Sequence, residues 1–574
     1  MVVIGAGPVG QTAALLLARW GVPVVVLDGR PGRVPAGSRS ICQQRDVLDV
    51  WEAAGCGAIT AEGLTWTTAR TYYRDRELFA WSFDPGRSPL PPFVNISQAR
   101  TEELLDERIA ATPLIDVRWG HEAVAFPADP GGVTVRCANG AEVRGSHAIA
   151  CAGAHGGAVR DALGVSFDGE TFDERFLICD IRADLPGWER ERRFHFDPAW
   201  NPGRQVLIHP CPGSTYRIDW QVPPDFDLAA EEESGGLDRR IRMIVGERPY
   251  ELVWRTVYRF HARVAGRMRV GRVLLAGDCA HLVAPFGARG LNSGVPDAEN
   301  AAWKIAFVRR GWAPEELLGT YDVERRAAAL ENLEVTGATM RFLVPRTEEG
   351  RARRREILER AARTRPAPGD AGPAPGGVGP DAGRANPDAG GAGPGSGGAG
   401  SDAGEAVAAV DSGRFAEPFW YLDSPLTTPA PGRTFTGRPP RGESPAPVPG
   451  VIVPDAPVSV PGRPEVTRLR QLCRDGLLVL FTEGCDREPL AAAARAAVRA
   501  PVTVVALEEV DPGGDVRKAL EARPCEAWLV RPDAHIAAVL TAPDPAALAR
   551  AARRSLGHSL PCPQSFPEES RHPS

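Results

Sequence analysis

The sequence predicts an α/β protein in two folded units joined by a disordered tract, and three observations carry that reading. The chain opens on an apolar strand, a glycine-rich turn and an Ala/Leu-rich helix, "VVIGAGPVGQTAALLLARWGVPVVVLD". Strand-like and helical runs then alternate to about residue 345. After a long Gly/Pro/Ala tract the alternation resumes, from about residue 451 to 560.

A chain of 574 residues, 43% of them hydrophobic, can bury a large core and divides into two or three domains. Its 67 basic and 73 acidic residues nearly balance, which argues against a nucleic-acid partner. All but two of the basic residues, Lys304 and Lys518, are arginines. The longest apolar runs, Ala13 to Ala18 and Val273 to Gly277, fall well short of the roughly 20 residues a membrane helix needs, so no membrane partner is expected. No charged n-region with an apolar h-region precedes Gly5, so the reading is cytoplasmic. "MVVIG" leaves about three strand residues where a strand has about five or six, so either the strand is short or the natural start lies upstream. Eleven cysteines show neither C-x-x-C nor metal-ligand spacing, and no metal site is expected.

Residues 1–345 read as the first unit and 346–450 as a mostly disordered linker. From Pro366 to Gly404 the linker has almost no large apolar residue with which to offset its ordering entropy. Within it, the aromatics of "FAEPFWYLDSPL" (Phe415 to Leu426) are expected to dock on a folded neighbour. The order β-α-β-α-β-β-α over 451–560 resembles a thioredoxin fold, with Pro524 before the third strand. The redox pair is missing, because "TEGCDRE" offers Cys485 alone, so a structural role is expected. Residues 561–574 read as a disordered tail.

Gly5, Gly7 and Gly10 form G-x-G-x-x-G between a strand and a helix, and the second strand ends at Asp28. Glycines permit the tight turn and close pyrophosphate approach, the helix N-terminus offers free N–H groups, and the carboxylate suits ribose hydroxyls. The fingerprint does not separate NAD from FAD.

"GRVLLAGDCAHLVAPFGARGLNSGVPDAENAAWKIAFVRRG" reads as a buried strand ending at Gly277-Asp278, a Gly/Pro loop and a helix. This segment resembles the GD motif of the class A flavoprotein aromatic hydroxylases, the para-hydroxybenzoate hydroxylase superfamily, and most closely its 3-(3-hydroxyphenyl)propionate hydroxylase-like branch. The resemblance covers about residues 1–345 and implies a Rossmann-like FAD-binding domain interleaved with a β-sheet substrate domain, about 172–260, followed by the linker and the thioredoxin-like domain. Asp278 is then suited to accept from ribityl hydroxyls. Pro285 and Gly290 let backbone pass close to a flat ring, and the N–H groups near Gly290, Leu291 and Asn292 open the next helix toward the ring's electron-rich edge. The resemblance also places Arg39 near flavin and pyrophosphate, Gln98 at a cofactor-contacting position, and His281 as structural support.

One part departs from the family pattern. Where the family has Cys-Asp-Gly-Ala-x-Ser-x-Val-Arg, this chain reads "CAGAHGGAVR" from Cys151, with Ala152 in place of the aspartate. The expected activity, inherited from the resemblance, is hydroxylation of a phenolic or polycyclic aromatic substrate with FAD, NADH or NADPH, and O2 through a flavin C4a-hydroperoxide. A small aromatic substrate and a possible homodimer go with it. His209, Tyr216 and Trp220 are candidates for the substrate pocket, with sheet-face packing equally open for Tyr216 and Trp220 and simple exposure for His209. The alternatives are a flavin oxidoreductase of the same fold without oxygen insertion and a non-catalytic flavin-binding protein.

Overall fold

The strand Val2–Ile4 is apolar throughout and at most 3% exposed, which fits a strand covered on both faces. It sits inside a six-stranded sheet whose order is Arg269–Val270, Val273–Leu275, Ala148–Ala150, Val2–Ile4, Val24–Asp28 and Ile115–Trp119. All neighbours run parallel except the first pair. The computed structural model describes residues 1–34, 37, 40–74, 76–82, 88–284, 286–363, 417–439 and 445–560. The middle of the expected linker, the expected tail 561–574, and the predicted cofactor residues Arg39 and Pro285 lie outside the described residues.

A second sheet of eight strands stands beside the first. Its centre, Phe167–Ala183, Thr215–Val222 and Gln205–Cys211, falls where a substrate sheet was expected. Its edges do not: Thr68–Tyr73, Arg76–Ser82 and His281–Leu282 come from the dinucleotide-binding part of the chain. The two parts are therefore interleaved through their strands.

Trp303 and Phe307, on the helix Arg289–Arg309, share one apolar cluster with Leu477, Val479 and Phe481 of the C-terminal domain. Phe307 meets Trp20 and Trp303 edge-on, with centroids 5.1 and 5.3 Å away. The C-terminal sheet has the order Val502–Ala506, Leu477–Phe481, Glu526–Val530, Ile536–Thr541, its first pair parallel and the others antiparallel. This is a thioredoxin-like arrangement.

Two parts of the stretch read as linker are ordered. The helix Glu348–Arg363 buries Ile357, Leu358 and Ala361 against the cluster of Phe194, Phe196 and Leu343. Its arginine-rich sequence hides that narrow apolar stripe. Residues 417–439 carry buried Trp420, Tyr421 and Leu426, which dock on the folded units as expected for these aromatics. Among the described residues, no helix is long and apolar enough to cross a membrane.

Phe307→Ala empties the centre of the shared cluster and is expected to lower the unfolding free energy by about 3–5 kcal/mol. Denaturant titration checks this, and both units should lose stability together.

Candidate functional site

A cleft of about 860 Å3 runs between the six-stranded and eight-stranded sheets. That is toward the upper end of cofactor and ligand sites, which span about 300–1,000 Å3. At one end it is bordered by the glycine turn. The helix Pro8–Arg19 begins there on Gly7 with no side chain capping it, and Pro8 occupies its first turn. Its free N–H groups and positive dipole end therefore face the cleft, as an anion site requires. Gly10 is fixed by crowding, because a β carbon there would lie 1.9 Å from the Gly5 carbonyl oxygen.

Asp28 borders the same end. Its carboxylate accepts from the Ala6 N–H at 2.8 Å, the Arg30 N–H at 2.9 Å, and the Arg30 guanidinium at 2.9 Å on each oxygen. Burial pushes the group up, but these hydrogen bonds outweigh it and hold it below the usual carboxylate range. Four donors fill the four lone-pair positions of a carboxylate. A ribose diol bound here must take the place of the Arg30 side chain, which is 43% exposed and so the easiest of them to displace.

The middle of the cleft is bordered by Asp278, Gly290, Leu291 and Gln98. Gln98 accepts from the Ser40 N–H at 3.2 Å and donates to Glu102 at 2.8 Å. The helix Arg289–Arg309 also starts without a side-chain cap, so a second positive helix end reaches the cleft. Gly277 and Asn292 do not border it. Asn292 instead ties the helix start to the strand Cys42–Gln44, accepting from the Gln44 N–H at 2.9 Å and donating to the Cys42 carbonyl at 2.8 Å. The Gly277 N–H points away from the cleft to Asp297, 2.9 Å away.

Asp297 is a residue that sequence reasoning missed. It is 0% exposed and also accepts from His281 Nε2 at 2.7 Å and Arg325 Nε at 2.6 Å. Burial raises its carboxyl and the charges of His281 and Arg325 lower it further, leaving it below the usual range. Gly294 closes the turn onto the first helix, where an added β carbon would meet Val9 at 2.6 Å and the Gly277 Cα at 3.1 Å. A charged residue inside an Ala/Trp/Ile-rich helix was the available signal for Asp297. On the opposite side Arg160 donates to the Cys279 carbonyl at 3.1 Å, and Ala152 and His155 border the cleft.

The far end is a chamber lined by Phe176, Ile178, Leu207, Phe260 and Phe286, and polar side chains also reach the cleft wall, Arg192, Tyr258 and His261 among them. Of the three candidates His209 borders this chamber, and Tyr216 and Trp220 do not. They are 2% and 0% exposed on the other face of Thr215–Val222, beneath the helix Gly236–Val245. A strand alternates faces every residue, so the side chains that reach the chamber are Arg217 and Asp219. The amphipathic 236–245 segment, which needs an apolar face to cover, was the signal in the sequence.

Arg217 is held by Asp180 through two contacts of 2.8 Å. Asp219 Oδ2 lies 3.8 Å from His209 Nε2, and among the described residues its Oδ1 has no hydrogen-bond partner. Burial pushes Asp219 up to about 7 against the opposing charge of Arg217. Burial, with Arg192 and Arg217, holds His209 well below the usual histidine range and therefore neutral.

Two uncapped helix ends, a strand-end carboxylate and an adjoining apolar chamber define a dinucleotide-cofactor protein with room for a flat second ligand. The donors and the close backbone approach fit FAD. The chain belongs to the family described as FAD binding domain, which matches residues 1–336, and residues 446–559 match the family described as aromatic-ring hydroxylase, C-terminal. A 3-(3-hydroxy-phenyl)propionate/3-hydroxycinnamic acid hydroxylase of Mycobacterium sp. (strain JLS) is 30% identical over 366 residues, 63% of each chain. The chain thus spans under two thirds of that relative's length. A flavin-dependent monooxygenase of Mycobacteroides abscessus is 35% identical over 57% of this chain and 71% of its own. The structure of the flavin-dependent monooxygenase PieE in complex with FAD and substrate shares the fold, with a TM-score of 0.76 over 97% of this chain and 98% of its own at 22% identity.

Gly10→Ala drives a β carbon into the Gly5 carbonyl and is expected to cost about 1–3 kcal/mol of local packing. Flavin content per protein, read from visible absorbance after purification, should fall by tenfold or more.

Proposed function

We propose that this chain is an FAD-dependent monooxygenase that hydroxylates a phenolic or polycyclic aromatic compound, using NADH or NADPH and O2. The observation that carries the reading is the continuity of the cleft: the flavin-binding end opens directly into an aromatic-lined chamber whose polar wall holds a carboxylate tuned near neutrality. When bound, FAD reduced by NAD(P)H activates O2 and supplies one oxygen atom to the ring.

The chain's own residues do the rest. The N–H groups at the start of Pro8–Arg19 would hold pyrophosphate, Asp28 would hold the ribose in place of Arg30, and Asp278 would accept from the ribityl hydroxyls. The start of Arg289–Arg309 favours negative charge at the flavin edge that gains it. Phe176, Phe260 and Phe286 pack on one another at centroid distances of 4.7, 5.8 and 6.1 Å and form an apolar wall that excludes water from a ring placed beside it. Asp219, whose side chain borders the chamber beside neutral His209, takes the phenol proton. Deprotonation makes the ring electron-rich, which its attack on electrophilic oxygen requires. We further propose a cytoplasmic setting, which the free thiols of the described cysteines support.

Incubation with NAD(P)H, a phenol panel and oxygen-18 gas tests the activity. One labelled oxygen per product is expected, and unlabelled oxidised product would assign the flavin oxidoreductase alternative instead.

Asp219 acts as a base only when ionised, so turnover should rise as pH increases through about 7. Asp219→Asn is expected to lower turnover by about 10²-fold or more, the scale of a lost general base, and to flatten that pH step. Stability runs the other way. Between the ordinary carboxylate range and about 7 the folded chain keeps a proton that the unfolded chain releases, so this group lowers stability as pH rises across that window. Thermal melts of both proteins across the window should show the Asn variant free of that decline.

A further inference from the structure

A buried polar layer joins the flavin-binding unit to the C-terminal part of the chain. Glu324 accepts from Lys304 at 2.6 Å, Asn300 at 2.8 Å, Ser424 at 2.6 Å, and Arg531 at 2.5 and 3.0 Å. Arg531 also grips Asp533, which accepts from the Trp303 indole at 3.1 Å. Glu324, Lys304, Arg531 and Asp533 are all at most 3% exposed.

Tyr421 stands where this layer meets the flavin loop. Its ring stacks on His535, centroids 4.1 Å apart, and its hydroxyl accepts from Arg325 Nη1 at 2.9 Å and Asn300 at 3.3 Å. The same guanidinium donates through Nη2 to the Ser293 carbonyl at 3.1 Å and through Nε to Asp297 Oδ1 at 2.6 Å. The other oxygen of Asp297 holds the Gly277 N–H and His281. From Tyr421 to the Gly277 turn there are three hydrogen-bonded steps, each involving a charged side chain in a dry interior, where such bonds are short and directional.

We propose that the 417–439 segment, seated on the C-terminal domain through His535, is a positioning element for the flavin loop, with Tyr421 the positioning residue that fixes Arg325, then Asp297, and so the Gly277–Asp278 turn. Adhesion alone does not call for this layer. The apolar cluster around Trp303 and Phe307 already joins the two units, and buried ion networks add little net stability over apolar packing. What a fork of Arg325 bonds adds is direction, and it points at the turn that carries Asp278 on the cleft wall. The inference rests on FAD binding by residues 1–336 and not on oxygen insertion.

The test uses the full chain. Tyr421→Phe keeps the ring on His535 and removes only the hydroxyl, and Arg325→Lys keeps the charge and removes the fork. Each is expected to raise the FAD dissociation constant about fivefold or more, the low end of couplings between sites, and to shift the flavin midpoint potential. The double variant should lose less than the sum of the two, as members of one path do. Arg433→Gln serves as the control, because it breaks a buried pair between the 417–439 segment and Glu526 of the C-terminal domain while removing none of the bonds from Tyr421 to Gly277, and should lower the melting temperature while affinity and potential stay put. Unchanged affinity and potential in Tyr421→Phe would overturn the inference, as would an equal shift in Arg433→Gln. A chain that binds FAD but inserts no oxygen would defeat the proposed activity and leave these readouts intact.

Discussion

The site depends on one buried carboxylate. Asp297 has no contact with water, and an isolated charge there would cost several kcal/mol, so its three donors are obligatory. Satisfying it sets three things at once: the Gly277 amide, the His281 ring and the Arg325 fork. His281 thereby becomes a support for the turn rather than a group that meets substrate. Because Gly294 and Val9 leave no slack above the turn, the helix Arg289–Arg309 and the helix Pro8–Arg19 are packed at a fixed height. Their two uncapped ends then face one cleft, and the flavin site is the space between them.

Within that cleft two carboxylates are driven in opposite directions. Asp28 is desolvated but surrounded by four donors, which hold it ionised. Asp219 is desolvated with one buried oxygen left without a hydrogen-bond partner among the described residues, and its proton leaves only near neutrality. Opposed environments of this kind suit one carboxylate to binding and the other to proton transfer, the roles proposed for them. The division is also spatial, since Asp28 lies at the glycine turn and Asp219 in the aromatic chamber.

The sequence revealed what local chemistry dictates. The glycine fingerprint, the strand leading to Gly277-Asp278 and the thioredoxin-like order each depend on residues close together in the chain, and all three are present in the structure, although the strand stops at Leu275 and Gly277–Cys279 forms a 3-10 turn. It did not reveal which face of a strand looks inward. "TYRIDWQV" has one face of Tyr, Ile, Trp and Val and another of Arg, Asp and Gln, and aromatic residues are natural pocket candidates. The pairing of the apolar face with the 236–245 helix decides between pocket and packing, and it is a contact no spacing rule contains. The same holds for Cys485, which reads as a lone thiol. It donates to the Glu526 carbonyl at 3.3 Å while Cys525 donates to the Gly484 carbonyl at 3.4 Å, so a second thiol from a distant loop lies alongside. Burial pushes the Cys485 thiol up, which disfavours its reactive thiolate.

The Ala152 position separates two tasks that one segment performs. As an acceptor the segment is diminished, because a methyl group now borders the cleft where the family pattern has a carboxylate. As a clamp it is intact. The Cys151 N–H donates to the Ile4 carbonyl at 2.7 Å, and Arg160 reaches across to the Cys279 carbonyl, tying this segment to the turn that carries Asp278. Arg160 also lies over the Phe167 ring at 3.9 Å, which fixes its direction. The geometry of the flavin cleft therefore does not depend on the missing acid. What its loss changes is local charge: one negative group fewer beside a cleft that already has two positive helix ends. That shift favours an anionic cofactor and an electron-rich reduced ring, so the substitution is compatible with the flavin chemistry that the rest of the site is built to support.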